Sequence, residues 1–478
     1  MLKKVITLFA VAFLICGQIG AQEFGFGFDD DNGSQGETLS GSSAPQKRIA
    51  LSIGGEVSAA IIGYIHDIPE GAENINTLEM FMLQGKLNFL AKSSFAEGVI
   101  NLKIVPALIP VNVDEAYIRA FFGKLDVSAG LKKVTWGKAD QLGPLDIVNL
   151  IDASKIFIEM ADNTSLMGVK IANPIVHSAL RLGMFSKLEV LFVPSFEVIG
   201  AAVTTAIAGA DPSNPMNLLI GSSAPGRWMP LQMNDILAKI GEKMYLYPDK
   251  DDILTMPKTS GLDYAQAGLR FTTTIRSADV GAQYFYGRLY QPAVKQTDDS
   301  IEILFNKYHQ IGIDYAQVLA GFNVRAEVAG NITEDTDGSD GSVYNPSIGW
   351  SFGFDRDIFL GINLNFQANG NVRLLDSKIS DEPSKYDMES GKSITATRLT
   401  AMLSKKFFRD ELEVRTAVVW GIEDKFKNMD CAIIPALIWM RDDFRAALSG
   451  AFFMGHEEGN LGQYKDNSFL KISVAYMF

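Results

Sequence analysis

Hydrophobic and polar residues alternate with a period of two along most of the chain from residue 49 onward. Residues 357–371 read D-I-F-L-G-I-N-L-N-F-Q-A-N-G-N, where Ile362 and Leu364 are interleaved with Asn363 and Asn365. Successive side chains of a β-strand point to opposite faces, so this pattern predicts strands with one apolar and one polar face. The runs extend over about 10 to 14 residues, which is the length that a tilted strand needs to cross a bilayer and is longer than most strands of a soluble sandwich.

The breaks between these strands alternate between short and long. The short breaks are predicted at residues 91–95, 123–126, 186–188, 276–279, 318–321, 355–357, 408–411 and 441–443. The long breaks are predicted at residues 66–76, 106–110, 138–164, 201–261, 291–300, 332–341, 374–393, 423–429 and 455–466. Tight turns at one rim and long loops at the other produce this alternation. The sequence therefore predicts an all-β fold, a transmembrane antiparallel up-and-down β-barrel of about eighteen strands, or about sixteen if residues 49–65 or 166–185 are not strand.

The last predicted strand, residues 467–478, places Leu470 and Ile472 on one face and Lys471 on the other. A strand that pairs with the first one closes a barrel and leaves no exposed edge. The ending resembles the recognition strand of bacterial outer-membrane barrels. We therefore expect Tyr476 and Phe478 to act as an assembly signal for the barrel-assembly machinery.

Composition divides the chain into three segments. Residues 1–21, with the opening M-L-K-K and an apolar run, are predicted to be a signal peptide, although Cys16 leaves a lipoprotein as an alternative. Residues 22–48 are rich in Gly, Ser and Asp and are predicted to be a flexible periplasmic tether. Residues 49–478 are predicted to form the barrel, in the cell outer membrane. After the predicted signal peptide the sequence contains no run of about 18 apolar residues, so no transmembrane helix is predicted.

Charge and reactive residues exclude several classes of function. The chain of 478 residues has a net charge of −13, which does not favour nucleic-acid binding. Its histidines, His66, His177, His309 and His456, show no paired metal-binding spacing, and no nucleophile accompanies them at catalytic spacing. Cys431 is the only cysteine after the predicted leader, so no intrachain disulfide is expected. We expect no enzyme activity, no metal and no cofactor.

Three segments resemble a known group of proteins. Leu131–Ser154 reads L-K-K-V-T-W-G-K-A-D-Q-L-G-P-L-D-I-V-N-L-I-D-A-S. It resembles the W-G-x-A-D…D-x-x-N-P-x-D block of porin-like outer-membrane barrels related to phosphate-selective porins and alginate-export channels. Leu188–Phe196 and Ala265–Gly287 are also similar to that family, whereas Asn149-Leu150 replaces its usual Asn-Pro. The resemblance implies a channel and no particular substrate.

The long break after Trp136 carries candidate constriction residues: Lys138, Asp140, Asp146 and Asp152. If the loop folds inward, these side chains line a constriction. Alternatively, the carboxylates cap the short helical turn that I-D-A-S-K-I-F-I-E-M predicts. Trp136 at a strand end is expected in the aromatic girdle at the membrane interface.

The polar faces of the predicted strands carry many cations. The residues expected to line the pore are Lys86, Lys103, Arg119, Arg270, Arg276, Arg325, Arg373, Arg398, Arg415, Arg445 and Lys471, with the acids Glu115, Asp279, Glu327 and Glu413. Rings of Arg and Lys favour anions, so the pattern predicts a weak anion preference. The alternative is that these cations are paired with acids and leave little net field.

The sequence therefore predicts a porin-like channel for passive diffusion of small polar solutes, surrounded by outer-membrane lipid. A homo-oligomer is compatible with this prediction. One alternative is a surface adhesin or ligand-binding barrel that acts through its long loop, residues 201–261. Another is a transporter of apolar substrates, with an entrance formed by Trp228, Met229, Met233, Met244 and Tyr245.

Overall fold

The computed structural model describes most of the predicted barrel. The described residues are 49–66, 81–104, 111–152, 155–163, 166–196, 228, 239, 243, 245, 246, 253–380, 386–423, 428–457 and 459–478. The predicted signal peptide and tether lie outside these residues and stay predictions. Most of the loop at residues 201–261 also lies outside them, including Met229, Met233 and Met244.

Strands dominate the described part of the chain. Their bounds are β1 Ala50–Tyr64, β2 Phe81–Lys92, β3 Ala96–Ile104, β4 Asn112–Phe122, β5 Leu125–Lys132, β6 Asn173–Arg181, β7 Ser186–Val193, β8 Leu254–Thr255, β9 Gln266–Ile275, β10 Ala278–Arg288, β11 Ala293–Gln296, β12 Ile301–Leu304, β13 Lys307–Leu319, β14 Phe322–Thr333, β15 Ser347–Asp357, β16 Ile362–Arg373, β17 Thr395–Phe407, β18 Leu412–Glu423, β19 Asn428–Arg441, β20 Phe444–Gly455 and β21 Phe469–Met477. One short helix, α1, spans Ile156–Met160.

Eighteen of these described strands form one closed antiparallel barrel. Each pairs with the next barrel strand along the chain, and β21 returns to pair with β1, with Val57 opposite Tyr476. The Gly55 N–H donates to the Phe478 carbonyl at 2.8 Å, and the Phe478 N–H donates to the Gly55 carbonyl at 3.1 Å. A Cβ at Gly55 would lie 2.6 Å from the Phe478 ring, so a glycine permits this closure. The predicted all-β barrel of about eighteen strands is confirmed.

The alternation of short turns and long connections is confirmed over most of the barrel, with shifted bounds. The predicted long break at residues 423–429 is an exception, because only residues 424–427 separate β18 from β19, as few as in the short turn at residues 408–411. The predicted break at residues 186–188 lies inside β7, because the turn falls at residues 182–185. The break predicted at residues 355–357 lies in β15, and the chain turns at residues 358–361, where Leu360 has a φ of 58°. The period-two pattern therefore predicts which segments are strands more precisely than it predicts where a turn begins, because polar residues occur both at strand ends and in turns.

The two faces of the strands differ as the period-two pattern predicts. On β13, Ile311 and Ile313 are 58% and 61% exposed, whereas Gln310 and Asp314 are 1% and 4% exposed. Side chains alternate between the outside and the inside of a barrel, so the outer face is apolar and the inner face is polar. Among the described residues, no helix has the length and hydrophobicity to span a bilayer.

A small accessory sheet joins the connection between β10 and β13 to the connection between β7 and β9. It consists of β8, β11 and β12, with β12 pairing antiparallel with β11 and parallel with β8. Its buried Val294, Ile301 and Ile303 pack with Tyr344 and Met388 from two later connections. The long connections therefore have a core of their own beyond the ends of the barrel strands.

Candidate functional site

The connection from β5 to β6, residues 133–172, folds into the barrel; we name it the bore loop. Its backbone carbonyls accept hydrogen bonds from amide side chains on the inner faces of three strands. These are Gln283 to Leu145 at 3.0 Å, Gln310 to Pro144 at 3.0 Å and Gln367 to Leu142 at 3.1 Å. The first part of the bore loop is thus fixed along the inner wall from β10 to β16.

Glu327 on β14 fixes the same part of the bore loop from the wall. Its carboxylate accepts hydrogen bonds from the backbone N–H of Lys138, of Ala139 at 2.7 Å and of Leu145 at 3.4 Å. Gly137 has a φ of 92°, and a Cβ there would overlap the Glu327 carboxylate. A strand carboxylate and a loop glycine therefore create a close contact that holds the bore loop.

The predicted constriction residues near this contact are ion-paired. Asp140 Oδ2 lies 2.5 Å from Arg325 Nη1, which also lies 2.7 Å from Asp355. Lys138 Nζ lies 3.9 Å from Asp279. Lys138 and Asp140 are thus in the bore but are balanced by charges of the wall.

The other two loop carboxylates bind within the bore loop itself. Asp146 pairs with the buried Lys170 at 2.6 Å. Burial raises the pKa of Asp146, and the Lys170 ammonium opposes that shift. Asp152 pairs with Lys155 at 2.7 Å. The residue at the N-terminal cap of α1 is Lys155, without a side-chain capping bond. The capping role of the loop carboxylates stays a prediction.

The far end of the bore loop is fixed to the opposite wall. Asp162, just after α1, is 3% exposed. Its carboxylate lies 3.0 Å from Lys471 Nζ and accepts a hydrogen bond of 2.7 Å from the Ser473 hydroxyl. Arg445 donates to the Asp162 carbonyl. Asp162 was not among the predicted functional residues. The only feature of the sequence that could have indicated its role is an acidic residue directly after the apolar run of α1.

Aromatic packing fills the bore beside α1. Phe157 of α1 lies 4.8 Å from Phe453 and 6.0 Å from Trp228, measured between ring centroids. The Trp228 indole N–H donates to the Tyr64 hydroxyl at 3.3 Å. Trp228, expected at an apolar entrance, is instead 1% exposed within this cluster. This side of the bore is packed.

Trp136 does not lie at the membrane interface. It is 2% exposed and its ring stands edge-on to Phe285 at 6.3 Å. A Cβ at Gly268 would overlap the indole ring, so this glycine makes the space that Trp136 occupies. The expected place in the aromatic girdle is wrong, because the residue follows β5 into the bore loop.

Two adjoining cavities separate the bore loop from the remaining wall. The first, of about 360 Å³, reaches the inner faces of β13 to β18. The second, of about 200 Å³, continues between α1 and residues 460–464. Leu142, Asn369, Arg398 and Asn460 line both cavities. We name these two cavities together the amide passage, after their lining side chains.

Most of the predicted wall cations have acidic partners. The pairs are Lys86–Glu56 at 3.4 Å, Lys103–Asp114 at 3.1 Å, Arg119–Asp126 at 2.9 Å, Arg270–Asp314 at 2.7 Å, Arg373–Glu389 at 2.8 Å and Arg415–Glu413 at 3.7 Å. The Arg270–Asp314 contact lacks hydrogen-bond alignment. The expected predominance of cations is wrong, because several partner acids lie on the same face and were missed.

Three residues that were predicted to line the pore do not form the ion pairs described above. Arg276 does not lie on the wall, because it occupies the exposed turn after β9 with a φ of 59°. Glu115 accepts hydrogen bonds from the Asn101 side chain at 3.0 Å and the Lys133 N–H at 2.9 Å. Arg398 makes no hydrogen bond or ion pair with any other residue that the structure describes. It is therefore the guanidinium with free donors beside the amide passage.

No protein-family model and no curated protein sequence matches this chain. Solved structures with a similar arrangement include OprD of Pseudomonas aeruginosa, with 7% identity and a TM-score of 0.47 over 90% of this chain and 95% of that one. OccAB3 of Acinetobacter baumannii has 8% identity and a TM-score of 0.47 over 90% and 99%. Wzi of Escherichia coli, a carbohydrate-binding outer-membrane barrel, has 8% identity and a TM-score of 0.43 over 89% and 84%. The resemblance to phosphate-selective and alginate-export channels stays a prediction.

Proposed function

We propose that this protein is an outer-membrane channel through which small polar solutes diffuse passively. The apolar outer face suits hydrocarbon, and closure of β1 on β21 pairs the strand edges that a bilayer does not tolerate. In this proposal, outer-membrane lipid surrounds the barrel and the barrel-assembly machinery inserts it. No catalytic role is assigned.

The amide passage is the observation that carries the proposal. The bore loop narrows the bore without filling it, since two adjoining cavities remain along the wall. Amide side chains donate and accept hydrogen bonds and carry no charge, so they replace part of the hydration of many polar solutes. A permeating solute would follow this path from the long-connection end toward the short turns.

The proposed selectivity is by size and hydrogen bonding more than by charge. Paired cations on the wall contribute little net field, so a general anion preference has little support. Lys86, Arg325 and Lys471 would line the bore as parts of ion pairs. Lys138 and Asp140 would narrow it together with the backbone of the bore loop.

Planar-bilayer recordings of the purified, folded protein test this function. We expect discrete conductance steps in potassium chloride and a reversal potential close to zero under a salt gradient. A protein that inserts with sheet-rich circular dichroism and heat-modifiable mobility but produces no steps would contradict the channel. It would favour a barrel that works by binding a ligand at its loops.

A further inference from the structure

An apolar groove crosses the outer face of β1 to β5, near the short turns; we name it the outer groove. Its cavity volume is about 490 Å³. One row of residues, each opposite the next across a strand pair, lies along it: Leu51, Ala91, Gly98, Ile118 and Ala129. The alternation of the strands places the neighbouring polar side chains, such as Arg119 and Ser128, on the inner face. The outer groove therefore opens to the bilayer and not to the bore.

Small residues make the outer groove deep at its centre. Gly98 on β3 has Ala91 and Ile118 as cross-strand partners. A Cβ at Gly98 would meet no atom within 4 Å, so the space above this glycine is open. Leu51 and Ile118 stand on either side of Ala91 and Gly98, at 58% and 66% exposure. The outer face of the barrel is thus concave at Gly98, between two ridges of large apolar side chains.

The occupant of the outer groove must be apolar and narrow. The barrel lies in the outer membrane, so hydrocarbon chains surround the open side of the groove. Van der Waals contacts decide which groups pack together inside a bilayer, because water is absent there. A void forfeits such contacts along its lining, and a single acyl chain that enters the groove restores them on three sides.

A second copy of the barrel fits the outer groove less well than an acyl chain. The two subunits of a symmetric dimer contribute the same surface patch. Two concave patches that face each other would leave the space above Gly98 empty. The shape of the groove therefore favours a lipid over a dimer partner.

The rim beside the outer groove suits a phosphate headgroup. Phe95 and Phe122 lie next to the turns at this rim and are 52% and 66% exposed. Exposed aromatic residues at such a position mark the membrane interface. Lys124 lies in the turn after Phe122, is exposed, and forms no ion pair with any residue in the described ranges. An ammonium group is thus present at the level where lipid phosphates lie.

The acids of this rim have cationic partners of their own. Glu97 and Asp126 lie 3.3 Å and 2.9 Å from the Arg119 guanidinium, and Asp126 also lies 3.3 Å from Arg181. The Glu97 and Asp126 side chains are only 16% and 12% exposed. Two acids therefore face two arginines on the inner side of the rim, and Lys124 adds a positive charge to this balanced set.

We propose that the outer groove binds one acyl chain of a phospholipid from the leaflet at the short-turn end, with the lipid phosphate beside Lys124. The outward side chains hold the chain by shape, and Lys124 holds the headgroup by charge. The site depends on the position of the barrel in the bilayer and not on conduction, so it stands apart from the proposed channel function.

Native mass spectrometry of the detergent-solubilised barrel with added dioleoylphosphatidylglycerol tests this proposal. Gly98→Leu fills the groove with a side chain that meets no other atom at its Cβ. We expect the wild type to retain one lipid at a concentration about tenfold lower than Gly98→Leu does, because the variant loses the contacts of the bound chain. Gly330→Leu is the matched control, since Gly330 lies on the outer face of β14 and is equally open. It should retain lipid as the wild type does.

Lys124→Gln tests the headgroup position. It should weaken retention of dioleoylphosphatidylglycerol and leave retention of dioleoylglycerol, which lacks the phosphate, unchanged. Lys406→Gln is its control, because Lys406 is an exposed lysine near the short-turn end of β17. Equal weakening by the two lysine variants would overturn the assignment of the phosphate to Lys124.

Heat-modifiable mobility establishes that each variant is folded. If Gly98→Leu does not fold, Ala129→Leu fills the same groove from β5 and takes its place. The proposal is overturned if the wild type retains no lipid, or if the groove-filling variant retains as much lipid as Gly330→Leu. It is also overturned if the wild type is an oligomer that Gly98→Leu dissociates, because a second copy would then occupy the groove.

Discussion

The backbone N–H of Ala139 donates a hydrogen bond of 2.7 Å to the carboxylate of Glu327, which lies 188 residues later in the chain. This contact joins the bore loop to the inner face of β14. It is buried, since Glu327 is 2% exposed. The contact therefore sets how far the bore loop can move from the wall, and with it the width of the amide passage.

Glu327→Ala should loosen the bore loop and increase single-channel conductance. The substitution leaves the N–H groups of Lys138 and Ala139 without their acceptor, which costs about 1–3 kcal/mol for each buried group that water does not reach. Glu327→Gln retains one acceptor oxygen and should have a smaller effect. Single-channel recordings in planar bilayers measure the conductance and its fluctuations.

Glu97→Gln is a suitable control for charge. Glu97 lies on the wall and pairs with Arg119 at 3.3 Å, away from the bore loop. If Glu97→Gln and Glu327→Ala change the conductance equally, the effect is one of charge, and Glu327 does not hold the loop.

Asp162→Ala should destabilise the folded barrel. It leaves Lys471 buried at 7% exposure without its ion-pair partner, and removal of one member of a buried pair costs about 3–5 kcal/mol. Urea unfolding in lipid vesicles, followed by tryptophan fluorescence, measures the free energy of unfolding. The additional substitution Lys471→Met should recover much of the loss, because the unpaired charge is then removed.

The matched control for that pair is Glu56→Gln. Glu56 pairs with Lys86 at 3.4 Å, and both side chains are about one-third exposed. Such a pair contributes about 0–1 kcal/mol, so its loss should be small. An equal loss of stability in Glu56→Gln and Asp162→Ala would show that Asp162 is not an anchor.

Asn371→Trp should reduce conductance by filling the larger cavity of the amide passage. Val372 is the next residue on β16 and points to the opposite face, where it pairs with Ile348. Val372→Trp should therefore leave conductance unchanged. Equal conductance of the two tryptophan variants would show that solutes do not pass beside Asn371.

Phe478→Ala should lower the amount of folded protein in the outer membrane. The Phe478 ring lies over Gly55, and its backbone completes the pairing of β1 with β21. Phe408→Ala is the control, since Phe408 is an exposed aromatic residue in a short turn with a φ of 53°. Heat-modifiable mobility of outer-membrane fractions measures the folded protein. Equal amounts of both variants would contradict a role for Phe478 in assembly.

Period-two patterning was sufficient to predict the barrel and the inner and outer faces of its strands. Lys86 and Arg398 both lie on the inner face, as the pattern predicts. The same alternation also assigns Asp314 and Glu56 to the inner face. The sequence was therefore sufficient to predict that cations on this face have acidic partners. The predicted excess of cations is wrong because Asp314 and Glu56 share the parity of Arg270 and Lys86 and pair with them.

The fixed position of the bore loop was beyond sequence reasoning. Glu327 is a polar residue on an alternating strand, and nothing local distinguishes it from a solvated carboxylate. Its contact with Ala139 depends on closure of the barrel, which brings β14 next to a loop from much earlier in the chain. The buried position of Trp136 was also beyond sequence reasoning, because Gly268 on a distant strand makes the space for its ring.

Single-channel conductance of the wild-type protein beside a variant with a shortened bore loop tests the central claim most directly. In the variant, a short Gly-Ser linker replaces residues 138–162, which removes the segment held by Glu327 and Lys471. We predict small discrete steps for the wild type and larger steps for the variant, with both proteins heat-modifiable. A folded wild-type protein that never conducts, or equal conductance of the two proteins, would contradict a passage bounded by the bore loop.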